Sequence, residues 1–103
     1  MIYAIAAWVS DPHVREVEVI KFGKAKYPNE RLRLLQTGSP VRLQIYATVD
    51  WPDEYEGKIH RLFSAKRWLG EWFGIDDEIN DFMNLLQKNP AKAKELVDEK
   101  YLR

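Results

Sequence analysis

The chain has 103 residues, 46% hydrophobic and 31% charged, a size that fills one core and is too short for two sizeable ones. Sixteen Lys and Arg balance sixteen Asp and Glu, so no net field draws the molecule to nucleic acid, and any pull on phosphate must come from charge segregation. The absence of Cys excludes disulfides, thiol catalysis and Cys-rich zinc sites, fits a reducing compartment, and leaves oxygen donors to hold any metal.

No apolar run approaches the roughly 20 residues of a membrane span. The start Met1-Ile2-Tyr3-Ala4-Ile5-Ala6-Ala7-Trp8 lacks the basic segment of a secretory signal, so a cytoplasmic protein without membrane association is expected. Repeats and Gly/Ser linkers are absent, and residues 1–103 read as a single domain with 90–103 as a C-terminal helical tail.

Ile2 to Val9 is almost wholly apolar, and Glu16 to Phe22 alternates with period two until Ile20, which predicts two strands. Ser10-Asp11-Pro12-His13 between them has turn chemistry, so an antiparallel hairpin with a longish loop is expected, with Gly23 marking the exit of the second strand. Pro28 in a first-turn position, followed by Leu32, Leu34 and Leu35, predicts a short helix stopping at Gly38-Ser39-Pro40. Val41, Leu43, Ile45, Ala47 and Val49 alternate with Arg42, Gln44, Tyr46 and Thr48 as a half-buried strand does.

Asp50-Trp51-Pro52-Asp53 offers an N-cap and a Pro for a second helix, with Tyr55, Ile59, Leu62 and Phe63 on one side up to about Lys66. Trp68, Trp72 and Phe73 form an aromatic cluster around Gly70-Glu71, beside Lys66 and Arg67, that is expected to pack rather than to stack bases. Asp76 can cap a third helix lined by Ile79, Phe82, Met83, Leu85 and Leu86 and ended by Asn89-Pro90. Ala91 to Tyr101 reads as a charged helix with Leu96, Val97 and Tyr101 as anchors. The order ββαβαα predicts an α+β fold, a three-stranded antiparallel sheet flanked by helices.

Most chemistries fail on residue type. Lys21-Phe22-Gly23-Lys24 has one Gly where a phosphate-cradling loop needs several, His13 and His60 are far apart, and no Gly-x-Ser-x-Gly occurs. What remains suits phosphodiester cleavage: cations to neutralise a crowded phosphate, a carboxylate for a hard divalent ion, and a phenol or water as the oxygen source. Charge is segregated accordingly, with Lys21, Lys24, Lys26, Arg31 and Arg33 against Glu30 alone, then Asp50, Asp53, Glu54 and Glu56 without a base.

Lys21-Phe22-Gly23-Lys24-Ala25-Lys26, followed by Glu30-Arg31-Leu32-Arg33, resembles the second half of the GIY-YIG nuclease signature, in which an Arg follows the strand-end Gly by eight residues, as Arg31 follows Gly23. Met1-Ile2-Tyr3 resembles the first half, and Tyr55-Glu56-Gly57-Lys58-Ile59-His60 the segment carrying that family's metal-binding Glu. With Gly70-Glu71-Trp72-Phe73, the pattern is similar to a phage-associated branch of the superfamily and covers roughly Met1 to Phe82. It departs at Met1 in place of the first Gly, at Lys21 in place of the second motif's Tyr, and at Phe73 where an Asn often stands.

The resemblance implies a metal-dependent DNA endonuclease of phage or mobile-element association, with Tyr3, Lys21, Lys24, Arg31 and Glu56 around the scissile phosphate. It implies Mg²⁺ or Mn²⁺ on Glu56, and DNA contacts from Lys26, Arg33 and His60. A phenol has an ordinary pKa near 10, so Tyr3 acts as a base only if neighbouring cations such as Lys21, or a metal-bound water, stabilise its phenolate. His60 follows Glu56 by one helical turn and suits either a phosphate contact or a capping role. Two other readings stand beside cleavage: a GIY-YIG-fold nucleic-acid-binding module without hydrolysis, and a protein-interaction domain.

Overall fold

Apolar residues on both faces of a strand require cover on both sides. The computed structural model satisfies this with a sheet that has helices above and below it. It describes residues 1–11 and 14–101, and the side chains of these except 8–18, 69 and 101. The expected turn at Pro12-His13 and the anchoring role of Tyr101 lie outside the described residues.

Strand β1 (Ile2–Asp11) pairs antiparallel with β2 (Val14–Lys24), so both strands outrun their apolar patterns. The register sets Ile2 against Lys24 and Tyr3 against Gly23, so Gly23 lies within the strand rather than at its exit. After α1 (Pro28–Thr37) the chain returns as β3 (Arg42–Val49), antiparallel to β1 on its other side. Between Ala4 and Ile5 the β3 partner jumps from Ala47 to Ile45, which leaves Tyr46 as the extra residue of a bulge.

Helix α2 (Glu54–Leu62) and a single 3₁₀ turn (Ser64–Lys66) lead into β4 (Arg67–Leu69) and β5 (Trp72–Gly74). The fold is α+β, but its antiparallel sheet has five strands in the order β3-β1-β2-β5-β4, not three. The two added strands have three residues each, too few to print a period-two pattern, and they turn at Gly70, whose φ of +57° favours glycine. The observed order is therefore ββαβαββαα, closed by α3 (Asp77–Lys88) and α4 (Pro90–Tyr101).

One face of the sheet holds the larger core. Phe22, Phe63, Phe73 and Phe82 pack there with ring centroids 5.1 to 6.0 Å apart, joined by Ile20, Ile59, Ile79 and Leu86 beneath α2, α3 and α4. Asp76 caps α3 as expected, accepting from the Ile79 N–H at 2.9 Å. The cap position of α2 falls on Asp53, within the expected segment, but makes no side-chain cap bond. The entry to α2 is instead fixed by the buried Trp51, whose ring stands 5.3 Å from that of Tyr55.

Helix α4 docks through Ala93 and Val97, both fully buried, and through Asp98, which accepts from the Tyr55 hydroxyl at 2.6 Å. The other face carries Tyr3, Ile5, Ala7, Val19 and Leu43, covered by Leu32 and Leu35 of α1, a helix with no fully buried residue. Gln36 ties α1 to the start of β3: its Nε2 donates to the Val41 carbonyl at 2.8 Å and its Oε1 accepts from the Leu43 N–H at 2.7 Å. Among the described residues no helix is long and apolar enough to cross a membrane.

Candidate functional site

Strand alternation decides which residues of β2 reach the thinner face. Ile20 and Phe22 enter the larger core, whereas Val19 joins the cluster under α1, and Lys21 and Gly23 share that side by alternation. Opposite Gly23, the Tyr3 ring lies directly across the strand. A Cβ built on Gly23 would stand 2.3 Å from the Tyr3 hydroxyl oxygen and 2.4 Å from the adjoining ring carbon. Only glycine lets the phenol take this path.

Tyr3 is 2% exposed. Among the described residues no buried side-chain polar atom lacks a partner and no hydrogen bond engages the Tyr3 hydroxyl. The ring is therefore covered while its oxygen reaches the solvent boundary above Gly23. A phenol held in this way can approach a substrate without first breaking an internal bond.

Beside Tyr3 the sheet has an open edge. β5 pairs with β2 only at Val19, Ile20 and Lys21, and β2 then continues through Phe22, Gly23 and Lys24. His60 of α2 reaches this edge, with its Nε2 2.6 Å from the Phe22 carbonyl oxygen. A carbonyl can only accept, so Nε2 carries the proton and donates, which leaves Nδ1 with the lone pair when the ring is neutral. The ring also stands edge-on to Phe73 at 5.3 Å, which fixes its plane.

Lys21 is the one polar residue buried among the described residues, and its ammonium pairs with the Glu71 carboxylate. A buried cation requires such a counterion. Glu71 comes from the β4–β5 turn and is half exposed. The Lys21 hydrogen bond holds its carboxyl below the usual carboxylate range against the opposing effect of burial, and the charges of Lys21, His60 and Arg31 act in the same direction. Lys21, Arg31, His60 and Glu71 thus share one electrostatic neighbourhood although they come from β2, α1, α2 and the hairpin turn.

The remaining expected residues divide. Lys24 ends β2 beside this group, and neither it nor Arg31 forms an ion pair among the described residues. Lys26 is exposed, with its Nζ 5.6 Å from the Tyr27 ring centroid. Arg33 follows Arg31 by two positions on α1, a spacing that turns the two side chains to different faces, so Arg33 is not brought in with Arg31.

Glu56 is half-buried in the first turn of α2, and His60 lies one turn further along the same helical face. Its carboxylate forms no ion pair or hydrogen bond among the described residues. No group of three or more His, Asp and Glu able to cage a metal occurs among the described residues. Mg²⁺ needs no such cage, because it keeps several waters and takes one or two carboxylates, so the unspent oxygens of Glu56 fit that ion.

Glu71 was not among the expected site residues. Its signal was the lysine at position 21, a charge in the middle of an apolar strand that had to find a carboxylate elsewhere. Among the aromatics near Gly70, Phe73 is buried and Trp72 packs against the cluster under α1, as expected, whereas Trp68 is exposed. Comparison of the chain with family models, with curated proteins and with solved structures returned no match.

Proposed function

We propose that the protein is a metal-dependent nuclease of GIY-YIG type that hydrolyses phosphodiester bonds in DNA at the open edge of β2. The observation that carries this reading is the Tyr3 hydroxyl held across Gly23, on the strand face from which Lys21 pairs with Glu71, with His60 bonded to the neighbouring Phe22 carbonyl. Arg31 offers a planar fork to two phosphate oxygens, and Lys24 adds a point charge from the strand end. Tyr3 orients or deprotonates the attacking water, and His60, fixed through Nε2, presents its second nitrogen for proton exchange. Glu56 would hold Mg²⁺ or Mn²⁺, which supplies charge neutralisation at the phosphate when bound.

Lys21 has a different role in this scheme from the one expected of it. Its charge is spent on Glu71, so it fixes the hairpin turn and holds Glu71 ionised rather than activating the phenol. The same ion pair favours a second reading, a nucleic-acid-binding module that has lost cleavage, because the position where a second Tyr would stand is occupied and neutralised.

Incubation with supercoiled plasmid and Mg²⁺ or Mn²⁺ separates the two. Nicking that disappears in Glu56→Ala and falls at least about a hundredfold in Arg31→Ala supports the nuclease. Salt-sensitive DNA binding without nicking supports the binding module. Absence of both sinks the two readings together.

A further inference from the structure

Helices α3 and α4 are joined at Asn89, and the 3.5 Å ion pair between Lys100 and Glu78 shows that the end of α4 returns to the start of α3. The two helices therefore run antiparallel. Beside the residues that they bury in the larger core, a second stripe stays partly open to solvent. Glu78, Asp81, Leu85 and Lys88 follow it at i, i+3, i+7 and i+10 on α3, and Lys92, Leu96 and Lys100 at i, i+4 and i+8 on α4. Two open cavities, of about 220 and 370 Å³, lie along this stripe, and Asp81 and Leu85 line both. They form one groove along the helical hairpin, with the half-buried Leu85 and Leu96 in its floor.

Charge is ordered along the groove. Lys88 and Lys92 stand at the end where α3 passes into α4, and Asp81 and Glu78 lie toward the other. Glu78 is shared between Lys100 and Lys66, at 3.5 and 3.4 Å, so its charge is answered within the chain. The side chains of Asp81, Lys88 and Lys92 form no ion pair among the described residues. A helix dipole favours acids in the first turn and bases in the last. It accounts for neither Asp81, which lies beyond the first turn of α3, nor Lys92, which stands in the first turn of α4.

We propose that this groove is the interface of a twofold dimer, its occupant a second copy of the same chain. An axis through the groove between Asn84 and Leu85 lays α3 antiparallel to its copy. Asp81 and Lys88 are equally far from that centre, so each Asp81 falls against the Lys88 of the other copy, and Lys92 adds to the charge it meets. A surface that carries base at one end and acid toward the other complements itself only when turned in this way, which is the condition of an isologous contact. Leu85 and Leu96 of both copies lie near the axis and supply the apolar centre within a charged rim. The inference is independent of the nuclease reading, because the groove lies on the side of the larger core and Tyr3 stands on the opposite face of the sheet.

Sedimentation velocity of the full chain at low salt tests this, over roughly 1 µM to 1 mM, the range of a small interface. The mass should rise from one chain to two and stop there, because a twofold contact closes on itself. Asp81→Lys should weaken the dimer at least about tenfold, and so should Lys88→Glu combined with Lys92→Glu. The three changes together should restore it to within about threefold of the parent. All three positions are exposed, and Lys92→Glu gives α4 the acid its first turn favours, so each variant should keep the far-UV circular dichroism of the parent. A chain that stays monomeric throughout overturns the inference. So does growth beyond two chains, a dimer that the reversals leave unchanged, or one that the triple change does not recover.

Discussion

The two faces of the sheet are built on different terms. One lies under three helices and is closed by four phenylalanines in mutual contact, while the other lies under a single helix that buries nothing completely and leaves a lysine in its floor. The phenol of Tyr3 and the buried Lys21 stand on the thinner side, with His60 at its edge. Separating the two lets one layer carry stability while the other holds a charge, a covered phenol and a glycine that a well-packed core would exclude.

Cutting into the thick face should give the largest loss. Phe63→Ala removes a ring that touches Phe22 and Phe82 and should cost about 3–5 kcal/mol in urea unfolding. Leu32→Ala, on the half-buried cover of the other face, should cost less than about 2 kcal/mol. Equal losses would mean that the faces do not differ as described.

Gly23→Ala probes the thin face where it is tightest. The new methyl collides with the Tyr3 ring and should destabilise by about 1–3 kcal/mol, and Tyr3→Ala in the same molecule should relieve it. A double variant that is additive would deny the close approach.

Glu71→Gln leaves Lys21 buried without a carboxylate and should cost about 1–2 kcal/mol, moderated because the partner is half exposed, whereas Lys21→Met should be nearly neutral. The pH dependence has a definite sign. The Glu71 carboxyl is held below its ordinary value of 4.5, so its stabilisation is present above that pH and is lost as the pH falls through the lower folded value. Thermal melts stepped down from neutral pH should show this part of the acid loss in the parent and not in Glu71→Gln.

Tyr55→Phe should have a small effect, about 1 kcal/mol, by removing the bond that ties α2 to α4. That bond and burial push the Tyr55 hydroxyl up from 10.0 to about 12. Its contribution is complete below pH 10 and is lost as the pH rises through the folded value, so alkaline melts should separate the parent from Tyr55→Phe.

Legibility in the sequence followed periodicity. The strand from Val41 to Val49, the helix after Pro28 and the helix capped by Asp76 repeat often enough to be read, and they stand where the pattern set them. The β4–β5 hairpin was hidden because two three-residue strands around a glycine look like an aromatic turn. Ala93 was hidden too, since a methyl group carries little hydrophobic signal although it is wholly buried in α4. In the site, the spacing of Gly23 and Arg31 was legible as a local fact, whereas the pairing of Tyr3 with Gly23 depends on the hairpin register, which the apolar pattern does not set. Glu71 was not, because its partner lies fifty residues away in sequence and the two meet only once the hairpin is formed.

The amide of Gln36 has a bearing on how the molecule behaves among its own copies. β3 is the outer strand of the sheet, and its exposed backbone would otherwise be a template for another chain to add a strand. Gln36 already engages the Val41 carbonyl and the Leu43 N–H, and further along Gln87 donates to the Tyr46 carbonyl at 3.4 Å, beside the bulge. With its first rungs filled and its middle kinked, this rim gives a neighbour no continuous ladder to join, so the fold carries its own brake on fibrillar growth.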